Sequence, residues 1–418
     1  MRILAAMSGG VDSAVVAGLL AEGGHEVIGA TLQLYDAGRT AARRGACCAG
    51  RDIHDARRVA DHLAIPHYVI DAQARFRDTV IDRFADSYAG GETPVPCVRC
   101  NQGVKFTDLL GLARELGCEA MATGHYVRRV ETPGGVELHR PAAAARDQSW
   151  FLFATTTDQL DYLRFPLGAM DGKDDVRQQA QRLGIRVADK PDSQDICFVP
   201  DGGYETIVGQ HRPEALAQGD IVDEAGRALG RHDGIARYTV GQTKRLGVAA
   251  MRDGVRQSVR RIEPATGRIV IGPRGEGGAS LVHIAETNWL APVPPEGRRC
   301  VVQLRAREAP RPASIAATGH TTATVTLDAP AHAAPGQACV AHAAPASSAA
   351  ASSSAATRHD RPSHHRHATL FVLVDARLAR RPPRRPRRRG DRRPARRQRQ
   401  HRRPQAAFAQ RPGAVARA

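Results

Sequence analysis

The chain has 418 residues, 42 % of them apolar, and a formal net charge of +17. That length calls for about two to four folded units, and the apolar share excludes a wholly disordered chain. The charge invites a polyanion-binding reading, yet residues 341–418 hold 20 Arg, no Lys and 3 Asp, so the tail carries all of it and the body is neutral.

No apolar run approaches the roughly 20 residues that span a bilayer, and Met1–Ser13 does not resemble a secretory leader. A cytoplasmic protein with no membrane partner is therefore expected. Eight cysteines scattered over the chain are unlike a disulfide scaffold; in that compartment they are more often catalytic or metal-binding.

In chain order, Arg2–Met7 reads as a buried strand, Asp12–Leu20 as a helix and Glu26–Leu34 as a strand. Asp52–Leu63 predicts a helix, His67–Ile70 a strand, Arg75–Tyr88 and Lys105–Leu116 helices, and Glu119–Thr123 a strand. Lys173–Leu183 predicts a helix closed by Gly184. This alternation predicts an α/β fold, a doubly wound parallel sheet covered on both faces, over residues 1–204. Beyond it, stretches such as RYTVGQT, GRIVIG, RRCVVQLRA and ATVTLDA predict antiparallel sheet. They divide into a central β domain at 205–275 and a C-terminal β-barrel at 276–340.

Residues 341–418 form a low-complexity Arg, Ala and Pro tail, expected to be disordered and interrupted by one apolar island at Leu370–Val374. Arginine without lysine, among Pro, Ala, Ser and His, is what GC-rich DNA yields when read out of frame. A basic RNA-binding tail is the competing reading, though it offers no aromatic side chains arranged for stacking.

Ser8-Gly9-Gly10-Val11-Asp12-Ser13 stands directly between a strand and a helix. Glycines let the backbone approach phosphate oxygens, serine hydroxyls donate to them, and the helix N-terminus adds the positive end of its dipole. The Walker spacing and its lysine are absent. A lone Gly-Gly turn reads as an ordinary capped turn; SGGxDS in this context does not. It resembles the loop of the PP-loop ATPases, which cleave ATP between the α and β phosphates and adenylate a substrate oxygen.

Cys97-Val98-Arg99-Cys100 precedes Asn101-Gln102 and the helix expected from Lys105. Arg99 and the nearby helix start are expected to hold a thiol there partly ionised. Cys197 lies in DSQDICF, where Asp192 and Asp195 alone oppose ionisation, so its reactivity depends on cations supplied by the fold. Cys47 and Cys48 are adjacent and poorly placed to share a ligand site. Cys118, Cys300 and Cys339 sit in apolar contexts and read as core fillers. A four-thiolate zinc site lacks its second CxxC; an iron–sulfur cluster on Cys97, Cys100 and Cys197 stays open.

The SGGVDS loop, TPVPCVRCNQGVKF, ATGHYVRR, RDQSWFL, KPDSQDICFV, YTVGQTKRLGV and PGQACV occur in this order. Together they resemble the tRNA-specific 2-thiouridylases over residues 1 to about 340. The resemblance implies adenylation by ATP, with Mg2+, of the C2 oxygen of a wobble uridine in tRNA. It implies a persulfide on Cys197, loaded by a persulfide sulfur donor protein, and Cys100 as its partner thiol, the two closing to a disulfide that must be reduced. ATP contacts map onto Ala6, Met7, Ser8, Gly9, Gly10, Val11, Asp12, Ser13, Leu32 and Gly124. Contacts to tRNA map onto Arg146, Asp147, Gln148 and Gln337, with His125 beside the site; no dedicated metal ligands are implied. The expected state is a monomer or weak oligomer.

Taken without the resemblance, His125 reads as a strand-end histidine packed by Tyr126, Asp147 as a helix cap, and Trp150 and Phe151 as core. Arg305 and Arg307 suit a solvated sheet face or phosphate contact. Two departures from the family stand out. The acidic residue common three positions before the nucleophilic cysteine is here Cys97, so the carboxylate is dispensable, Asp195 replaces it, or Cys97 joins a cluster. The closing β segment after PGQACV is missing, which predicts an incomplete barrel with an unpaired edge strand. Two other functions compete: an ATP-dependent amidating ligase, needing neither Cys100 nor Cys197, and a non-enzymatic RNA-binding protein working through its tail.

Overall fold

The structure is a computed structural model that describes residues 1–35, 50–188, 190, 196–199, 203–293 and 295–343, with the backbone of 369–372. Cys47, Cys48, Asp192 and Asp195 lie outside the described residues. Strands β1 (Arg2–Ala6), β2 (Glu26–Gln33), β3 (His67–Asp71), β4 (Ala120–Ala122), β5 (Arg128–Thr132), β6 (Gly135–His139) and β7 (Leu163–Arg164) build the first part. Five of them form the expected parallel sheet, in the order β3-β2-β1-β4-β7. The pair β5–β6 is an antiparallel hairpin that the sequence pattern did not announce.

Successive side chains of a strand face opposite ways, and β1 shows both faces covered. Ile3 and Ala5 join a core with helices α1 (Val11–Glu22) and α2 (Gly50–His62), while Leu4 joins the larger core on the other face. That larger core is filled by two helical rods. In one, α3 (Gln73–Phe76) and α4 (Asp82–Ala89) are joined through wide π-type turns at Arg77–Ile81. In the other, α5 (Pro96–Cys100) and α6 (Leu110–Glu115) are joined through Asn101–Leu109. The helix expected from Lys105 thus begins at Pro96, whose fixed φ and missing N–H suit a first helical position. Cys97 and Cys100 ride on its first turns, not on a preceding loop.

Helices α7 (Thr157–Tyr162) and α8 (Lys173–Arg182) follow, then α9 (Tyr204–His211), which packs on α4. Phe84 is the hub of that junction. Its ring meets Tyr88 at 5.0 Å, Phe198 at 5.3 Å and Tyr204 at 6.5 Å, all edge-on.

The central sheet contains β8 (Gly219–Val222), β9 (Ala228–His232), β10 (Met251–Arg252), β11 (Val255–Glu263) and β12 (Arg268–Pro273), ordered β10-β11-β12-β8-β9. It departs from the antiparallel expectation at one place, since β12 and β8 run parallel. The last sheet runs β13-β16-β15-β14-β17-β18, built from β13 (Ala279–Ala285), β14 (Arg298–Gln303), β15 (Arg311–Gly319), β16 (Thr322–Ala331), β17 (Cys339–Ala343) and β18 (Thr369–Val372). The apolar island of the tail therefore supplies a strand. Its backbone pairs antiparallel with β17, His342 opposite Thr369, so β17 is not the unpaired edge that the sequence predicted.

Truncating Phe84 to Ala removes a fully buried ring and all three edge contacts. A loss of about 3–5 kcal/mol in urea-denaturation stability is expected, the usual cost of such a deletion.

Candidate nucleotide and thiol site

In an open parallel sheet, ligands settle where neighbouring strands send their connections to opposite sides. Here β1 has β2 on one side and β4 on the other. The loop Ser8–Ser13 leaves the carboxyl end of β1 at that point, and Gly124 follows β4. A side chain at Gly124 would stand 3.0 Å from the Ser13 amide and 3.1 Å from Asp12 Cβ, so only hydrogen lets the two loops meet. Gly9 is more constrained still. Its φ is +73°, and a Cβ there would lie 2.2 Å from the Asp52 carbonyl oxygen at the start of α2.

The loop's hydroxyls are held ready. Ser13 Oγ donates to the Gly10 carbonyl at 3.0 Å and accepts from the Ser8 amide at 3.1 Å, with Ser8 Oγ 3.2 Å away. At its entry, Thr31 Oγ1 donates to the Met7 carbonyl at 2.7 Å and the Met7 amide donates to Ala30 at 2.8 Å. Ala6 ends β1 and Val11 begins α1; Leu32, assigned to ATP contact, is a core residue near the carboxyl end of β2.

Two lysines support the loop, and neither was singled out from the sequence. Lys173 opens α8, where a cation opposes the helix dipole, yet it is 6 % exposed and its Nζ donates to both Asp12 carboxylate oxygens at 2.8 and 2.9 Å. Tyr126 OH donates to the same carboxylate at 2.7 Å. Lys190 Nζ donates to the Gly9 carbonyl at 2.9 Å and to Asp52 and Asp55 at 2.6 Å each. The available signals were a lysine at a helix start and a lysine opening KPDSQDICFV.

His125 is packed against Phe106 at 5.9 Å, edge-on. Its Nδ1 lies 2.9 Å from Thr123 Oγ1. Burial, helped by the charge of Lys105, pushes its pKa down to about 3, so the ring is neutral. Gln148 braces this turn, accepting from the Tyr126 amide at 2.8 Å while its own amide donates to the Tyr126 carbonyl at 3.2 Å. Asp147 accepts from Arg140 at 2.5 Å and from the Ser149 amide at 2.9 Å. The expected helix cap is not formed: Ser149–Phe151 is a single 3-10 turn whose N-cap is Gln148, without a side-chain cap, and Trp150 lies in the core. Arg146 is half-buried in the turn before it.

Cys100 is buried in the larger core, Cys197 is half-buried against it, and Cys97 is exposed. Phe198 meets Phe76 at 5.7 Å and Phe84 at 5.3 Å, and α5 packs on Arg77–Ile81 between those rings, so one rod borders both thiol segments. Arg99 donates to Glu286 at 2.7 Å and to Gln102 at 3.2 Å. The open iron–sulfur reading fails a test of fit: among the described residues, which include Cys97, Cys100 and Cys197, no three Cys, His, Asp or Glu come together to hold a metal. Cys118, Cys300 and Cys339 are buried as expected, burial pushing the Cys300 thiol up to about 11.

The turn entering α5 is clamped from both sides. A side chain on Gly91 would lie 3.0 Å from Ile262 and Pro264 of the central module. The Thr93 amide donates to Pro335 at 2.8 Å, and Gln337 Nε2 to the Thr93 carbonyl at 3.4 Å. The last module is further docked by Asn288, whose Nδ2 donates to Phe153 and Thr155 at 2.7 and 2.8 Å. Arg305 is exposed, as on a solvated face, and also reaches the Val240 carbonyl at 3.4 Å, a link between modules.

A phosphate loop at the switch point of a parallel sheet, with a thiol-bearing helix sharing its core, defines a PP-loop enzyme domain, here followed by two β modules. Residues 1–201, 205–273 and 280–343 match, in order, families described as tRNA methyl transferase HUP domain, tRNA methyl transferase PRC-barrel domain and aminomethyltransferase beta-barrel domain. The chain is 64 % identical over 343 residues to the tRNA-specific 2-thiouridylase MnmA of Gluconobacter oxydans, spanning 81 % of this chain and 95 % of that one. It is 63 % identical to the MnmA of Acidiphilium cryptum, over 81 % and 96 % of the two chains, and 55 % identical to that of Rhodospirillum centenum, over 81 % and 87 %. The chain belongs to the tRNA-specific 2-thiouridylase family. Among the described residues, no helix is long and apolar enough to cross a membrane.

Replacing Gly9 by Ala forces a β-carbon into the Asp52 carbonyl and is expected to lower nucleotide affinity at least tenfold, read by titration calorimetry. A second expectation concerns acid. His125 is neutral in the folded chain down to about pH 3, whereas its unfolded pKa is about 6.5. Its contribution to stability is therefore complete above that value and is lost as pH falls toward 3. His125→Gln should flatten the decline in urea-denaturation midpoint between pH 7 and pH 4.

Proposed function

We propose that this chain is an ATP-dependent tRNA uridine 2-sulfurtransferase, working in the cytoplasm as a monomer or weak oligomer. The observation that carries this reading is the junction of the two stations: Phe106, on the helical rod that bears Cys100, packs on His125 beside the phosphate loop. The chemistry is assigned to residues 1–204, with the modules at 205–275 and 276–340 helping to hold tRNA. The amidating ligase leaves these thiols idle, and the tail-based RNA binder leaves the phosphate loop idle.

The loop fits ATP. Gly9 and Gly124 leave space for phosphate to approach the backbone, Ser8 and Ser13 present hydroxyls, and α1 directs its N-terminus at the same place. The phosphate oxygens themselves offer the oxygen donors that Mg2+ prefers. Activation would replace a poor leaving group on C2 of the wobble uridine by AMP, with pyrophosphate released on the loop. Neutral His125 can hydrogen-bond without adding charge, and Arg146, Asp147, Gln148 and Gln337 frame the tRNA path through the turns they brace.

Sulfur would arrive from a persulfide donor protein as the outer sulfur on Cys197. In one route the Cys100 thiolate attacks the inner sulfur, closing a Cys100–Cys197 disulfide and expelling hydrosulfide, which displaces AMP from C2. In the other the outer sulfur attacks C2 first, and Cys100 then cleaves the S–S bond. Either way two thiols end as one disulfide, so an external reductant completes the cycle. Cys97 occupies the place of the family's acidic residue, and proton transfer then falls to another group.

The test is single-turnover thiolation of unmodified tRNA with ATP, Mg2+ and a persulfide donor, read by nucleoside mass spectrometry. Wild type should gain one sulfur at the wobble uridine, while Cys100→Ser and Cys197→Ser should gain none yet still release pyrophosphate. Retained product in both variants would sink the proposal.

A further inference from the structure

We propose that Lys190 is a positioning residue that holds the phosphate loop and shares its positive charge between the two carboxylates beneath it, joining that loop to the segment that carries Cys197. The second half rests on the proposed role of Cys197; the first does not.

An ammonium group has three protons to give, and Lys190 places them on three acceptors in two segments. They are the Gly9 carbonyl at 2.9 Å, Asp52 Oδ1 at 2.6 Å and Asp55 Oδ2 at 2.6 Å. The environment is half-dry, with the Lys190 side chain 19 % exposed and those of Asp52 and Asp55 7 % and 18 %. Burial opposes the charge on Lys190, but hydrogen bonds to the two aspartates outweigh it and raise its pKa. A cation so held is a fixed part of the site at every physiological pH.

The consequence follows from where the aspartates sit. Gly9 lies directly on the Asp52 backbone, so the first turn of α2 is the floor of the loop. Without Lys190 that floor loses the cation its two carboxylates share, next to the seat of a triphosphate and in surroundings that screen poorly. Lys173 discharges the same duty toward Asp12 from another helix. Lys190 differs in its chain position, because KPDSQDIC runs directly on from it to Cys197. A contact that fixes Gly9 therefore also fixes one end of the thiol segment.

The experiment compares wild type with Lys190→Met, Asp55→Asn and the double variant, in the full chain and each checked for an unchanged circular-dichroism spectrum. Two rates are read: pyrophosphate release against ATP concentration, and single-turnover sulfur transfer at saturating ATP. Lys190→Met should raise the ATP KM about tenfold or more and slow sulfur transfer even when ATP saturates. Adding Asp55→Asn should recover at least half of the ATP defect, since it removes one of the exposed charges, but should not restore sulfur transfer, since the anchor is still missing. Asp55→Asn alone should leave the ATP KM within threefold of wild type. An unchanged KM in Lys190→Met, or a double variant no better than the single one, overturns the electrostatic role. Normal sulfur transfer in Lys190→Met overturns the anchoring role. A wild type that releases pyrophosphate but thiolates no tRNA defeats the proposed function instead, and the ATP half of the comparison still reads out.

Discussion

Gly91 and Gly336 have no room for a side chain, and from that shortage of space the placement of the thiol helix follows. Ile262 and Pro264 press on the turn at Gly91, while the backbone of Thr93 blocks any β-carbon at Gly336. The same turn leads into Pro96, so two β modules that contain neither Cys97 nor Cys100 decide where that helix starts and how it is aimed. At Gly336 the backbone of Thr93 cannot yield as a side chain does, and at Gly91 a φ of +73° adds to the pressure of the Ile262 and Pro264 side chains. The Arg99–Glu286 and Asn288 contacts add a polar lock, each directed at the segment between Cys97 and Thr155.

Charge in the folded body is organised locally. Its net charge of zero conceals buried pairs in which each lysine at the loop meets its own carboxylates, Lys173 with Asp12 and Lys190 with Asp52 and Asp55. Such pairs cost desolvation energy and stabilise little overall. Their worth here is in orientation, since they hold hydroxyls and carbonyls still around a loop whose ligand is itself heavily charged. The surface pair Arg299–Asp328, by contrast, is exposed on both sides and contributes little.

The parallel sheet and the phosphate loop were legible because their determinants are contiguous. Apolar runs gave β1, β2 and β4, and SGGVDS between a strand and a helix gave the loop. The lysines escaped notice because their partners stand 161 and 138 positions away in the chain. The start of α5 was missed for a local reason, as Pro96 followed by a CxxC reads as a turn until the clamp at Gly91–Thr93 is known. Arg99 was read from its sequence neighbours, and its bond to Glu286, 187 positions away, lay beyond that reading. The parallel pairing of β12 with β8 depends on long-range register, which alternation patterns do not encode.

The backbone of β18 pairs with that of β17. Peptide groups are the same in every residue, so a ladder asks its partner for extended backbone and little more. One short stretch of a low-complexity tail can therefore occupy this edge, provided it takes the β conformation. The price of such tolerance is promiscuity: when Thr369–Val372 lets go, β17 becomes a template for any extended chain, including its own counterpart in another molecule.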